Sequence, residues 1–124
     1  LDINLEGYID LIEKDDIITE FKTSNQAMNS RGIEDHLQLT AYSYAYEMLY
    51  RKAPRLLKLV DLVKTKKPRI ITLEKQAKKL DYQRFFHLAS QILRGIRSRV
   101  FFPRSSFMCK DCEYSGQCKV WRGN

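Results

Sequence analysis

Residues 3–23 read Ile3-Asn4-Leu5-Glu6-Gly7-Tyr8-Ile9-Asp10-Leu11-Ile12-Glu13-Lys14-Asp15-Asp16-Ile17-Ile18-Thr19-Glu20-Phe21-Lys22-Thr23. Ile3, Leu5, Gly7, Ile9 and Leu11 fall on one side of an extended chain; Asn4, Glu6, Tyr8 and Asp10 fall on the other. That alternation predicts a strand over 3–13 with one buried face. Glu13 to Asp16 is a polar turn, and Ile17 to Thr23 is a second strand. The two are expected to pair as an antiparallel hairpin. Residues two apart on a strand share a face. Glu20 and Lys22 therefore project together, while Phe21 points into the core. The hairpin brings Asp10 beside Glu20, so two carboxylates and an ammonium meet on one patch.

Phosphodiester hydrolysis uses such a set. Two carboxylates hold Mg²⁺ or Mn²⁺ through hard oxygen ligands. The ion polarises the phosphate and acidifies a bound water. A lysine beside it orients that water or stabilises developing negative charge. Gly7 allows a backbone or phosphate to approach closely. The same three charged residues also fit a solvated hairpin face with weak cross-strand pairs, because E-x-K alone is a common string.

Downstream, Ser24, Asn25, Asn29, Ser30 and Gly32 mark residues 24–33 as a loop. From about Glu34 to Tyr50 the period is helical, with Leu37, Ala41, Tyr44, Ala45 and Met48 as the apolar stripe. Glu34 and Asp35 fall in its first turn, where the helix dipole favours acids. Residues 55–63 are nearly all apolar, a strand covered on both faces. Lys64 to Pro68 is a basic turn, and Arg69 to Glu74 a further strand. A long helix is expected over 76–100, with Phe85, Ala89, Ile92, Ile96 and Val100 as its stripe. The tail, 104–124, holds Cys109, Cys112 and Cys118. The order predicts a mixed α/β domain around a small sheet of about four strands, flanked by helices.

Gln38 and Tyr42 stand four apart and share one side of the first helix. Helix and hairpin together then carry G-x-I-D at Gly7 to Asp10, E-x-K at Glu20 to Lys22, and Q-x-x-x-Y at Gln38 to Tyr42, followed by the cysteines. This ordered set resembles the PD-(D/E)XK nuclease superfamily, and within it the RecB-type exonuclease branch. It is similar to the iron–sulfur members of that branch, the AddB-type helicase-nuclease subunits and the CRISPR adaptation nucleases. The resemblance spans roughly residues 3–118. It implies a restriction-endonuclease-like core over 1–103, with the cysteine tail, 104–124, packing on the same domain.

The roles it implies are these. Asp10 and Glu20 would ligate Mg²⁺ or Mn²⁺, with the Phe21 carbonyl as a third ligand. Lys22 would be the catalytic lysine. Gln38 and Tyr42 would position the nucleophile or the DNA backbone. Glu20 stands where the branch more often has Asp. The branch usually carries an N-terminal helix whose His helps bind the metal, and this sequence lacks it. Cys109, Cys112 and Cys118 match three ligands of a four-iron four-sulfur cluster whose fourth cysteine lies upstream in the family. The cluster is therefore expected to be incomplete or absent in this chain. Zinc and a metal-free tail remain alternatives.

The bulk numbers agree with a nucleic-acid enzyme. The chain has 124 residues, 44% of them hydrophobic and 30% charged, which excludes disorder and suits one domain. Its net charge is +7 and its pI about 9.4, a balance that favours a polyanion. Lys64, Lys66, Lys67 and Arg69 cluster in one turn; Arg94, Arg97, Arg99 and Arg104 cluster late in the chain. Either group suits a phosphate backbone, and Tyr8 or Tyr114 suits base stacking. The expected partner is DNA, single-stranded or at duplex ends, with a helicase domain or subunit alongside. No stretch is apolar for the roughly 20 residues that span a bilayer, and a reducing cytoplasm is expected from the clustered odd cysteines. A start at Leu1 suggests excision from a longer chain. His36 and His87 are lone histidines with no ligand pattern. Two rival functions are a non-catalytic DNA-binding module and a zinc-stabilised interaction domain.

Overall fold

A computed structural model describes residues 3–121. One mixed four-stranded sheet has the order β1-β2-β3-β4. The strands are β1 Leu11–Glu13, β2 Ile17–Ser24, β3 Leu56–Val63 and β4 Arg69–Lys75. The helices are α1 Ser30–Glu34, α2 Leu37–Tyr50, α3 Lys79–Arg97 and α4 Ser115–Trp121, with a 3₁₀ turn at Phe107–Asp111. The mixed α/β class expected from the element order is the one observed.

The hairpin forms, with Leu11 opposite Thr19 and Glu13 opposite Ile17. Its loop places Asp15 and Asp16 in the left-handed region, at φ 63° and 62°, which short acidic side chains tolerate better than most. The first strand is shorter than its alternation predicts, because residues 3–10 are irregular. The carboxylate of Asp10 accepts from the Phe21 N–H at 2.8 Å. That donor would otherwise continue the ladder, so pairing stops at Leu11.

β2 and β3 run parallel in register, Ile18 beside Leu57, Glu20 beside Leu59 and Lys22 beside Asp61. A parallel pair needs a long crossover, and α1 and α2 supply it. The expected loop at 24–33 contains α1, capped by the Asn29 side chain, which accepts from the Gly32 N–H. The next helix starts at Leu37 rather than Glu34. His36 is its N-cap, and Glu34 and Asp35 close α1 instead.

The core lies on one face of the sheet. Ile18, Leu57 and Leu59 meet Ile33, Leu39, Tyr42 and Tyr46 from the helices. α2 thus buries Leu39, Tyr42, Ser43 and Tyr46, and leaves Leu37 and Met48 exposed. β3 is covered on one face rather than two: Leu57, Leu59, Asp61 and Val63 are buried and Leu62 is not. Phe21 points to this second face, away from the core, and is 43% exposed. The Lys75 ammonium donates to the Glu34 carbonyl and to Asp81, both at 2.9 Å, which ties β4 to α1 and to the first turn of α3.

The chain divides into two compact units, Leu1–Ser90 and Gln91–Asn124. The first holds the sheet, α1, α2 and the start of α3. The second holds the last turns of α3, the 3₁₀ turn and α4. Among the described residues no helix is long and apolar enough to cross a membrane.

The hairpin loop is anchored by Asp16, whose carboxylate accepts from the Tyr46 hydroxyl and from Lys52. The Lys52 bond, then that of Tyr46, holds Asp16 below its ordinary value of 3.8. The same contact pushes the Tyr46 phenol up to about 12. A depressed carboxylate contributes stability above its unfolded pKa and loses it as pH falls through the folded one. Stability should therefore decline as the pH drops below 3.8. Asp16→Asn should be less stable at neutral pH and show a shallower decline, as measured by urea denaturation across that range.

Candidate active site

Glu20 sits mid-strand on the covered face of β2, only 2% exposed. A carboxylate this buried needs a partner, and Lys22, two residues on along the same face, donates to its Oε1. The Lys22 ammonium also donates to the Gln38 Oε1 on α2 at 2.8 Å. The Gln38 amide donates in turn to the Tyr42 hydroxyl at 2.8 Å. One hydrogen-bonded chain thus runs Glu20–Lys22–Gln38–Tyr42 from the strand to the helix above it. Gln38 and Tyr42 bond each other because four residues make one helical turn.

Asp10 lies just past the end of β1, where the hairpin register carries it opposite Glu20. A residue's N–H and C=O point the same way in a strand, so the Phe21 carbonyl faces the side where Asp10 takes the Phe21 N–H. Gly7 lets this segment lie on the helix: a Cβ there would come within 3.0 Å of the Tyr42 ring. The side chains of Asp10, Glu20, Lys22, Gln38 and Tyr42 and the Phe21 carbonyl therefore gather at one end of the sheet.

A family model of the PD-(D/E)XK nuclease superfamily matches residues 1–119. The chain belongs to that superfamily. No curated protein and no solved structure matches it. Members of the PD-(D/E)XK superfamily are generally nucleases and usually use divalent metal ions. The donor set of this PD-(D/E)XK chain fits such an ion. Glu20 Oε2 is buried and has no hydrogen-bond partner among the described residues, and a buried carboxylate oxygen in that state suits a hard divalent cation. No three His, Cys, Asp or Glu side chains converge among the described residues, so water and backbone oxygen would complete the shell.

Two contributors escape a reading of the sequence. Asp61, fully buried, is the parallel neighbour of Lys22. It accepts from the Ser24 hydroxyl at 2.7 Å and the Met28 N–H at 2.9 Å, pinning the chain where it leaves β2. The signal was an acid inside the apolar run Leu59-Val60-Asp61-Leu62-Val63. His36 caps α2, its Nδ1 accepting from the Leu39 N–H at 3.3 Å, and it stands near Lys22.

The basic turn Lys64–Arg69 is exposed, and none of its four cations forms an ion pair among the described residues. Lys64 N–H donates to the Ser24 carbonyl at 2.7 Å, which puts the turn beside the exit of β2. Arg94 and Arg97 lie on the last turns of α3. Cys109, Cys112 and Cys118 are free thiols in the second unit.

Burial, then the charges of Lys22 and Lys75, hold His36 below its ordinary value of 6.5. The unfolded chain then binds more protons, so stability is full above pH 6.5 and falls below it. His36→Asn keeps an acceptor at the cap and should flatten that fall. His36→Ala should cost about 1 kcal/mol at neutral pH. Thermal unfolding of the three proteins on both sides of pH 6.5 checks both statements.

Proposed function

We propose that the chain is the core of a Mg²⁺- or Mn²⁺-dependent deoxyribonuclease. We place it in the RecB-type branch, as an exonuclease acting on single-stranded or frayed ends during repair or recombination, beside a helicase domain or subunit. The observation that carries this reading is the continuous hydrogen-bonded chain from buried Glu20 through Lys22 and Gln38 to Tyr42, with Asp10 beside it.

Asp10, Glu20 and the Phe21 carbonyl would hold the cation. When bound, the ion supplies Lewis-acid polarisation of the phosphate and a more acidic water. Lys22 is fixed by two acceptors on two elements, so its ammonium needs no reorganisation to orient a nucleophilic water or to stabilise charge on the phosphoryl oxygens. Gln38 holds Lys22 and is itself held by Tyr42. The Tyr42 hydroxyl accepts from Gln38 and keeps its own proton for a phosphate oxygen. Lys64, Lys66, Lys67, Arg94 and Arg97 would carry the DNA backbone. The three thiols are one short of the four ligands of a cubane cluster, so the chain alone does not fit that group. A cluster in a parent protein would take its fourth ligand from elsewhere.

The rival reading is a non-catalytic DNA-binding module, which the exposed basic turn of Lys64, Lys66, Lys67 and Arg69 would serve without any cleavage. Cleavage separates the two. End-labelled DNA should be cut only with Mg²⁺ or Mn²⁺, and Lys22→Gln should lower the rate by roughly 10²–10⁴-fold. Mg²⁺ or Mn²⁺ should also raise the melting temperature of the chain but not that of Glu20→Ala. Binding without cleavage, and no metal-linked stabilisation, would favour the module.

A further inference from the structure

A hollow of about 550 Å³ opens directly beside Asp10, Gln38 and Tyr42, and its other walls include Leu5, Tyr8 and Phe85. Asp10, Gln38 and Tyr42 belong to the site just described, and most of the remaining lining is aromatic or apolar. Tyr8 is 78% exposed, yet its hydroxyl donates to Glu6 Oε1 at 2.8 Å. The ring is thereby held with a face free instead of lying on the core. Gly7, closely apposed to the Tyr42 ring, seats this segment against α2.

The sheet order fixes what lies on the other side. β1 and the Tyr8 segment flank β2 on one edge; β3, β4 and the exposed cations of Lys64, Lys66, Lys67 and Arg69 flank it on the other. A polyanion lying on the basic turn and crossing Glu20 and Lys22 reaches the hollow next. The group such a chain offers there is a base. Aromatic rings bind bases through their π-faces whatever the sequence, and Tyr8 and Phe85 line the hollow.

We propose that this hollow is a subsite for one unstacked nucleobase of a single-stranded nucleic acid, next to the phosphate held at Lys22. The proposal rests on the nuclease reading for the position of that phosphate. A base within a duplex is paired and stacked and cannot enter without being extruded. The subsite therefore selects single strands and frayed ends over intact duplex.

The test is a coupling cycle read by fluorescence anisotropy, in EDTA without divalent metal so that cleavage does not intrude. The probes are a short single-stranded DNA and versions of it that each lack one base. Removing one particular base should weaken binding by roughly tenfold, the size of one base–aromatic stack. The same removal should have no effect with Tyr8→Ala, and a full effect with Tyr8→Phe, which keeps the ring. Tyr8 is at the surface, so loss of folding does not confound the cycle. The proposal is overturned if no single base matters, or if its removal costs Tyr8→Ala as much as the parent. Cleavage by the unaltered chain is scored separately. Cleavage without coupling sinks the subsite and leaves the nuclease; coupling without cleavage does the reverse.

Discussion

The parallel pairing of β2 with β3 is the constraint from which the site follows. An antiparallel neighbour needs only a turn, and β1 reaches β2 through three residues, Lys14 to Asp16. A parallel neighbour needs a crossover that returns along the whole strand. Here the crossover is α1 and α2, and it lies over the face that carries Glu20 and Lys22. Gln38 and Tyr42 are therefore delivered to the strand by the same connection that makes the sheet possible. Asp61 and the bond from Lys64 N–H to Ser24 fix the two strand ends that this geometry leaves free.

That arrangement explains the polarity of the core. Burying Glu20 in a purely apolar layer would be costly, since an unpaired charge there loses its hydration. Lys22 compensates one oxygen and leaves the other bare. The helix above answers with Tyr42, Ser43 and Tyr46, rings with polar tips or small hydroxyls, where a helix over an apolar sheet would carry Leu and Ile. Each hydroxyl has a partner: Tyr42 with Gln38, Ser43 with Tyr82 at 2.7 Å, Tyr46 with Asp16.

This is also why part of the fold was legible in the sequence and part was not. β2, β4 and the spacing of Glu20, Lys22, Gln38 and Tyr42 follow from periods of two and four, which survive any packing. The inward face of α2 was misread because the rule looks for apolar residues, and Leu37, Ala41 and Met48 form the more apolar stripe. The stripe that is buried is half polar because it covers a charged face. The first strand was overextended for a different reason. Residues 3–10 alternate, but Asp10 takes the Phe21 N–H with its side chain, a competition between side chain and backbone that no periodicity records. Phe21 was assigned to the core and β3 a second covered face, but Phe21 and Leu62, on the face away from the core, are exposed.

The cations divide by their surroundings. Lys52, Lys58, Lys75, Lys78 and Arg84 each sit on a carboxylate and hold the fold. Lys64, Lys66, Lys67 and Arg69 have none among the described residues, and they share one turn beside the exit of β2. Like charges crowded together repel, and a fold gains nothing in stability from them. Their concentration at that one turn costs free energy in the isolated chain, and the polyanion contact proposed above would offset it.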